Sequence, residues 1–206
     1  MSKINWRGGA LVAPVPPVMV SCGTPDAPNI ITIAWTGIIN TVPPKTYISV
    51  RPKRHSYKLI KESGEFVINL TPASLVRSAD YCGIYTGAKI DKFKKCGLTP
   101  APSKEVSCVS IEECPMSLEC RVTDIIPLGT HDMFLADIVS VSVDEELVDS
   151  AGALHLDKAH LAAFAHGEYF ELGKKLGTFG FSVKKAKKSK NTANKGKAPH
   201  KTQKKR

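Results

Sequence analysis

Four short runs rich in β-branched residues fall within the first seventy positions: "PVMVSC" (17–22), "IITIAWT" (30–36), "TYISVR" (46–51) and "EFVINL" (65–70). Each has the length of a strand rather than of a stable helix. Gly, Pro, Asp and Asn crowd "GTPDAPN" between the first two, and Pro43–Pro44 breaks the chain before the third, so turns divide the runs. Farther on, "CPMSLECRVTDIIPLG" and "HDMFLADIVSVSVD" meet at a turn around Gly129 and read as an antiparallel hairpin. Phe134, Ala136, Ile138, Val139, Val141 and Val143 supply the apolar surface of its second arm. Between the strands, a short helix is expected to start at Ser56 as N-cap and stop at Gly64. A second helix fits "PASLVRSADYCG", closed by Gly83, and "TGAKIDKFKKCGL" reads as loop and a short helix. The expected fold class is mainly β: a small closed β-barrel with intervening helices, a form that leaves no exposed edge.

With 206 residues and 42% hydrophobic content, the chain can bury one substantial core, so one domain is expected. Its formal charge of +10 suggests nucleic acid until it is divided along the chain. From Lys184 to Arg206 there are 11 Lys and Arg and no acid; removing those from the total of 29 leaves 18 basic against 19 acidic residues. A near-neutral domain over 1–183 and a disordered Lys-rich tail over 184–206 are therefore expected. Nucleic acid is an unlikely partner, since neither a basic excess nor an interleaved aromatic platform remains in the domain. Cys22, Cys82, Cys96, Cys108, Cys114 and Cys120 contain no CxxC pair, and the start "MSKINWRGG" has no apolar leader. No window approaches a membrane span, so a reduced, cytoplasmic protein with buried thiols and no metal is expected. The six-residue recurrence of Cys108, Cys114 and Cys120 is an even step that could set them on one face of extended chain.

The stretch "PPKTYISVRPKRHSY" (43–57) carries the chemistry. Tyr47, Ser49 and Arg51 alternate with Ile48 and Val50, giving a wet and a dry face, and the strand then runs into Lys53, Arg54, His55 and Ser56. Arginine beside a helix start suits an anion such as phosphate, because guanidinium and backbone N–H groups both donate. The plainer alternative is that Arg51 and Arg54 pair with surface carboxylates and that Ser56 only caps a helix. No nucleophile with a spaced base appears, and no GxGxxG follows a strand.

Residues 29–70, together with "LGTHDMFLADIVSV", closely resemble the flavin reductase-like, FMN-binding split-barrel family in its flavoredoxin branch. The resemblance spans roughly residues 10 to 175 as an order of elements. It implies an FMN-binding oxidoreductase, either an NAD(P)H-dependent flavin reductase or an electron-transfer protein. By the same likeness Thr32, Ala34, Trp35 and Thr36 run along the isoalloxazine edge, while Ser49, Val50, Arg51, His55 and Ser56 form the ribityl-phosphate clamp. "DYCGIYTGAKIDKF" resembles the segment lying against the cofactor, adding Cys82, Gly83, Thr86 and Lys92; Lys92 either reaches the phosphate or is solvated. His131, in a Gly-x-His ahead of the last long strand, is the catalytic candidate, receiving nicotinamide or the flavin edge, or else a structural residue. NADH or NADPH is the implied transient hydride donor, with a homodimer and a redox-protein acceptor as implied partners. The aromatic-rich segment 164–181 either meets a second subunit or packs on its own barrel. A non-catalytic split-barrel flavin binder whose basic tail engages a partner is the alternative function.

Overall fold

The computed structural model describes residues 1–183; the Lys-rich tail lies outside the described residues. Met1–Gly173 form one compact unit and Lys174 begins a second. The first contains β1 (Val18–Thr24), β2 (Ala27–Ile33), β3 (Thr36–Asn40), β4 (Lys45–Val50) and β5 (Glu65–Asn69), with α1 (His55–Ser63) between the last two. There follow α2 (Val76–Ile84), α3 (Lys92–Cys96), a two-stranded ladder of β6 (Pro100–Ala101) and β7 (Ser110–Ile111), the long hairpin β8 (Met116–Pro127) and β9 (Asp132–Val143), and the hairpin β10 (Ala162–Ala165) and β11 (Glu168–Glu171). The segment Lys174–Val183 holds a single 3-10 turn at Phe181–Val183.

Seven strands form the main sheet in the order β2-β1-β5-β8-β9-β4-β3. Its two edge strands are consecutive in sequence, separated only by Ala34 and Trp35. Laid flat, six strand spacings would hold those edges about 29 Å apart, whereas the link from Ile33 to Thr36 can reach only about 11 Å. The sheet must therefore curl until its ends meet at that corner. No ladder joins β2 to β3, so the barrel is split, as the family resemblance implies, and not the closed form that the strand pattern alone suggests. The run "IITIAWT" is likewise two strands with a bend, because Ala34–Trp35 carries the chain from one edge to the other.

Curling gives the sheet an inside. Alternate residues of β1 (Val18, Val20, Cys22) join Ile31, Ile33, Ile48, Val50, Phe66, Ile68, Cys120 and Phe134 there, with Ile60 of α1 packed against them. The other face of β1 and β2, through Met19 and Ile30, lies beneath α2 and α3 with Ala79, Cys82 and Phe93. In the long hairpin Glu119 pairs with Ser140 but Cys120 with Ile138, so Val139 is an extra residue. By strand alternation Phe134, Ala136 and Ile138 face the main core, while Val139 on the opposite face packs in a separate cluster with Val67, Val106 and Cys108. The apolar surface of this arm therefore serves two clusters.

Three further expectations are corrected. Arg54, not Ser56, is the N-cap of α1, because a tight turn closed by Arg54 N–H on the Arg51 carbonyl at 2.9 Å launches the helix early. Its other end is as expected: Gly64 takes a left-handed φ of 70° and its N–H reaches the Ile60 carbonyl. Gly83 does not stop α2, which continues to Ile84 and ends where Tyr85 turns extended. Cys108, Cys114 and Cys120 share no face; only Cys120 lies in a strand, and the three are buried in three different clusters.

Asn69 ties the strands together from within. Its Nδ2 donates to the Met19 carbonyl at 2.9 Å and to Ser21 Oγ at 3.0 Å; its Oδ1 accepts from Ile111 N–H at 3.0 Å and Ser117 Oγ at 2.8 Å. One fully buried side chain thereby bonds β1, β7 and β8 from β5. Truncating it leaves several buried polar groups without partners. Asn69→Ala is expected to lower unfolding stability by about 2–4 kcal/mol, measured by urea denaturation; a change within about 0.5 kcal/mol would show the network to be dispensable.

Candidate functional site

Strand register brings the expected cation and histidine together. Val50 of β4 pairs with Asp132 of β9, so the residues just beyond, Arg51 and His131, meet at the strand ends. Arg51 Nε donates to His131 Nε2 at 3.4 Å, and His131 Nδ1 lies 3.0 Å from Thr130 Oγ1. With Nε2 accepting, Nδ1 carries the proton and donates to that hydroxyl. Burial, and then the adjacent Arg51 guanidinium, hold the His131 pKa below its ordinary value, which keeps the ring neutral. α1 is fixed to the same corner by the Tyr57 hydroxyl, which donates to Asp132 Oδ2 at 2.7 Å.

A cavity of about 380 Å³ opens at the split. Ile31, Thr32, Ile33, Ala34 and Trp35 form one wall, and Ser49, Val50, Arg51, Lys53 and Arg54 the other, with Gly83 and His131 completing it. A recess of about 190 Å³ shares Lys53 and Arg54 with it and is lined further by His55, Ser56, Tyr85, Thr86, Gly87 and Lys92. Thr32, Ala34, Trp35, Ser49, Val50, Arg51, Gly83 and His131 therefore share the larger space, and His55, Ser56, Thr86 and Lys92 the smaller. Thr36 and Cys82 line neither. Thr36 is buried with its Oγ1 donating to the Tyr47 carbonyl at 2.6 Å, because the bend at Trp35 turns it away. Cys82 is fully buried between α2 and the sheet.

The charges here are unbalanced. Among the described residues, Arg51, Lys53 and Arg54 form no ion pair with a carboxylate, so the expected alternative of surface pairing is not realised. Arg54 Nη2 donates instead to the Gly83 carbonyl near the end of α2. Burial, and then Arg51, lower the Arg54 pKa, the mark of a cation short of compensation. No side chain caps α1, so its first-turn N–H groups face the same region. Ser56, second in the helix, is buried and its Oγ accepts from Asn29 Nδ2 at 2.7 Å.

Lys92 is not solvated. It is 2% exposed, and its Nζ donates to the Ile30 carbonyl at 2.6 Å and the Cys82 carbonyl at 2.8 Å. An ammonium has three donors, so one remains for the recess. Burial brings its pKa down to about 8, with Arg54 adding to the effect and the Cys82 thiol opposing it. Sequence reasoning missed Lys53 and Arg54 as lining residues, although both stand in the basic run that follows Val50. It also missed Asn29 and Gly87: a Cβ on Gly87 would fall 1.8 Å from Asn29 Oδ1, so only glycine admits this approach of loop to strand.

A slot of mixed polar and apolar lining, beside cations without carboxylate partners and an uncapped helix start, suits a flat ring system bearing a phosphate. Residues 12–173 match the model of the flavin reductase like domain. The chain is similar to the flavoredoxin of Desulfovibrio vulgaris (Miyazaki F), at 33% identity and a TM-score of 0.83, over 89% of this chain and all (100%) of that one. It is 33% identical over 124 residues to an uncharacterized protein of Archaeoglobus fulgidus, covering 60% of this chain and 70% of the other. A stretch of 37 residues, 18% of this chain and 23% of the relative, is 40% identical to the FMN reductase (NADH) RutF of Enterobacter cloacae subsp. cloacae. Matched across its whole sheet and both walls of the cavity, the chain belongs to the flavin reductase-like, FMN-binding split-barrel family, in its flavoredoxin branch.

Proposed function

We propose that this protein holds FMN at the split of its barrel and acts as an oxidoreductase, taking hydride from NADH or NADPH and passing electrons to a further acceptor. One observation carries the reading: Arg51 on the wall of the larger cavity, and Lys53 and Arg54 where that cavity adjoins the recess at the uncapped start of α1, have no carboxylate partners among the described residues. Arg51, whose guanidinium can take two phosphate oxygens, grips the phosphate, supported by Lys53, Arg54, His55, Ser56 and Thr86. Lys92 offers its remaining N–H from below. The wall from Thr32 to Trp35 orients the ring through backbone groups, since the Thr32 hydroxyl is already committed to the Ala79 carbonyl. When bound, the flavin supplies the hydride and electron chemistry.

The chain's own contribution is placement. Hydride transfer between stacked rings depends on proximity and alignment and needs no acid or base from the protein. His131, kept neutral and partly exposed on the cavity wall, positions the incoming dinucleotide through its ring. Flavoredoxin and the NADH-dependent FMN reductase among the relatives support both halves of this reading. A homodimer is part of it: the edge strand β3 and its turn expose Ile38 (65%), Ile39 (47%) and Val42 (88%), apolar surface that a second copy would cover.

Anaerobic absorption spectroscopy tests the proposal. Purified protein reconstituted with FMN and desalted is expected to retain a flavin spectrum that bleaches on addition of NADH or NADPH; failure to retain FMN or to reduce added FMN would sink it. Arg51→Ala is expected to weaken FMN binding by about 1.5–3 kcal/mol, read by flavin fluorescence titration, and an unchanged affinity would remove Arg51 from the site. Lys92 gives the binding a pH dependence. Its ammonium is disfavoured in the free protein, with a pKa of about 8, and a phosphate beside it raises that value. Affinity is therefore flat from neutral pH up to about 8 and falls as pH rises further. Lys92→Met is expected to abolish the fall, and a wild-type affinity constant to pH 9.5 would contradict the contact.

A further inference from the structure

Two thiols that take no part in the proposed chemistry stand next to each other behind the recess. Cys82 Sγ on α2 and Cys96 Sγ on α3 are 3.9 Å apart. Of the six cysteines, all free, Cys96 alone is not fully buried, while Cys82 is closed in beneath it. Both pack in the cluster that joins α2 and α3 to the outer face of the sheet. We infer that Cys82 and Cys96 are a modification site: a hydroperoxide oxidises them to an intramolecular disulfide.

The exposed member meets the oxidant first. The Cys96 thiolate attacks one peroxide oxygen; the O–O bond breaks, and with hydrogen peroxide a water leaves as Cys96 becomes a sulfenic acid. The Cys82 sulfur then attacks the Cys96 sulfur, forming the S–S bond and expelling the second water. Two thiols lose two electrons and two protons in total, and one hydrogen peroxide is reduced to two waters. Burial pushes the Cys82 pKa up to about 12, so Cys82 is a poor first nucleophile but sits within reach of an electrophilic sulfur. Closing the pair to about 2.05 Å needs a movement of about 2 Å, and α3 is a five-residue helix ended by Gly97 in left-handed conformation. The bond ties the segment bearing Lys92 to α2, at the residue whose carbonyl Lys92 already holds.

The other thiols give the oxidant no equal opening. Cys22 is enclosed with Asn29 bonded to its sulfur at 3.7 Å, and Cys108, Cys114 and Cys120 are buried elsewhere. Trypsin separates the two sulfurs cleanly, since "SADYCGIYTGAK" (78–89) and "CGLTPAPSK" (96–104) are distinct peptides. The full chain would be treated with one to a few equivalents of hydrogen peroxide, alkylated, digested without reductant and measured by mass spectrometry. The expected result is those two peptides joined with loss of two hydrogens, separated again by dithiothreitol. The product should be absent from Cys96→Ser, whose unchanged thermal melting would show that it remains folded. Cys96 accumulating as sulfinic acid over a free Cys82, a bridge between other cysteines, or six unreacted thiols would each overturn the inference.

Discussion

Two residues, Ala34 and Trp35, connect the opposite edges of a seven-stranded sheet, and that short covalent link shapes the whole molecule. It forces the sheet to curl, and the curl creates an enclosed face for the main core. The same link leaves the edges joined at one corner but without a ladder between them, so polar backbone and side chains of the corner remain available to a ligand. A fully closed barrel of this size would fill its interior with side chains and leave no such slot. Core and cavity thus have a common origin in one bend of the chain.

Charge is arranged on this frame by strand register. The end of β4 and the start of β9 are neighbours, which brings Arg51 to His131. The turn after Arg51 delivers Lys53 and Arg54 before the first open amides of α1. The region accumulates donors and positive charge in the free protein, and cations with lowered pKa values mark where that accumulation costs the fold. An anionic ligand offsets the cost, so affinity and the strain of the free state are two sides of one arrangement.

Much of this could be read in the sequence wherever the signal was local. Alternation from Tyr47 to Val50, the Gly64 stop and the Gly129 hairpin each depend on a few adjacent residues, and the structure reproduces them. The basic run after Val50 likewise lines the cavity. What was not legible depended on distant parts of the chain. The bend at Trp35 looks like strand because its residues favour strand; only the sheet order makes it a corner. Thr36 does not line the cavity for that reason, and the extra residue at Val139 depends on a pairing with β8 that no local signal marks. Ser56 resembles a cap in isolation, but Asn29 from β2 claims its hydroxyl within the helix. Lys92 reads in the sequence as a phosphate contact or as solvated, and nothing local shows that Ile30 and Cys82 offer it carbonyls.

The contact between Arg54 and the Gly83 carbonyl bears on how such a site exists before its ligand arrives. The last turn of α2 presents the negative end of the helix dipole, and the guanidinium rests against it. This gives a partner to a charge that would otherwise stand uncompensated beside Arg51 and Lys53. Under the proposed function, a ligand phosphate would compete with a helix end for Arg54 and would leave the Gly83 carbonyl without that donor. The hydrogen bonding of the α2 terminus would then differ between the empty and the filled site.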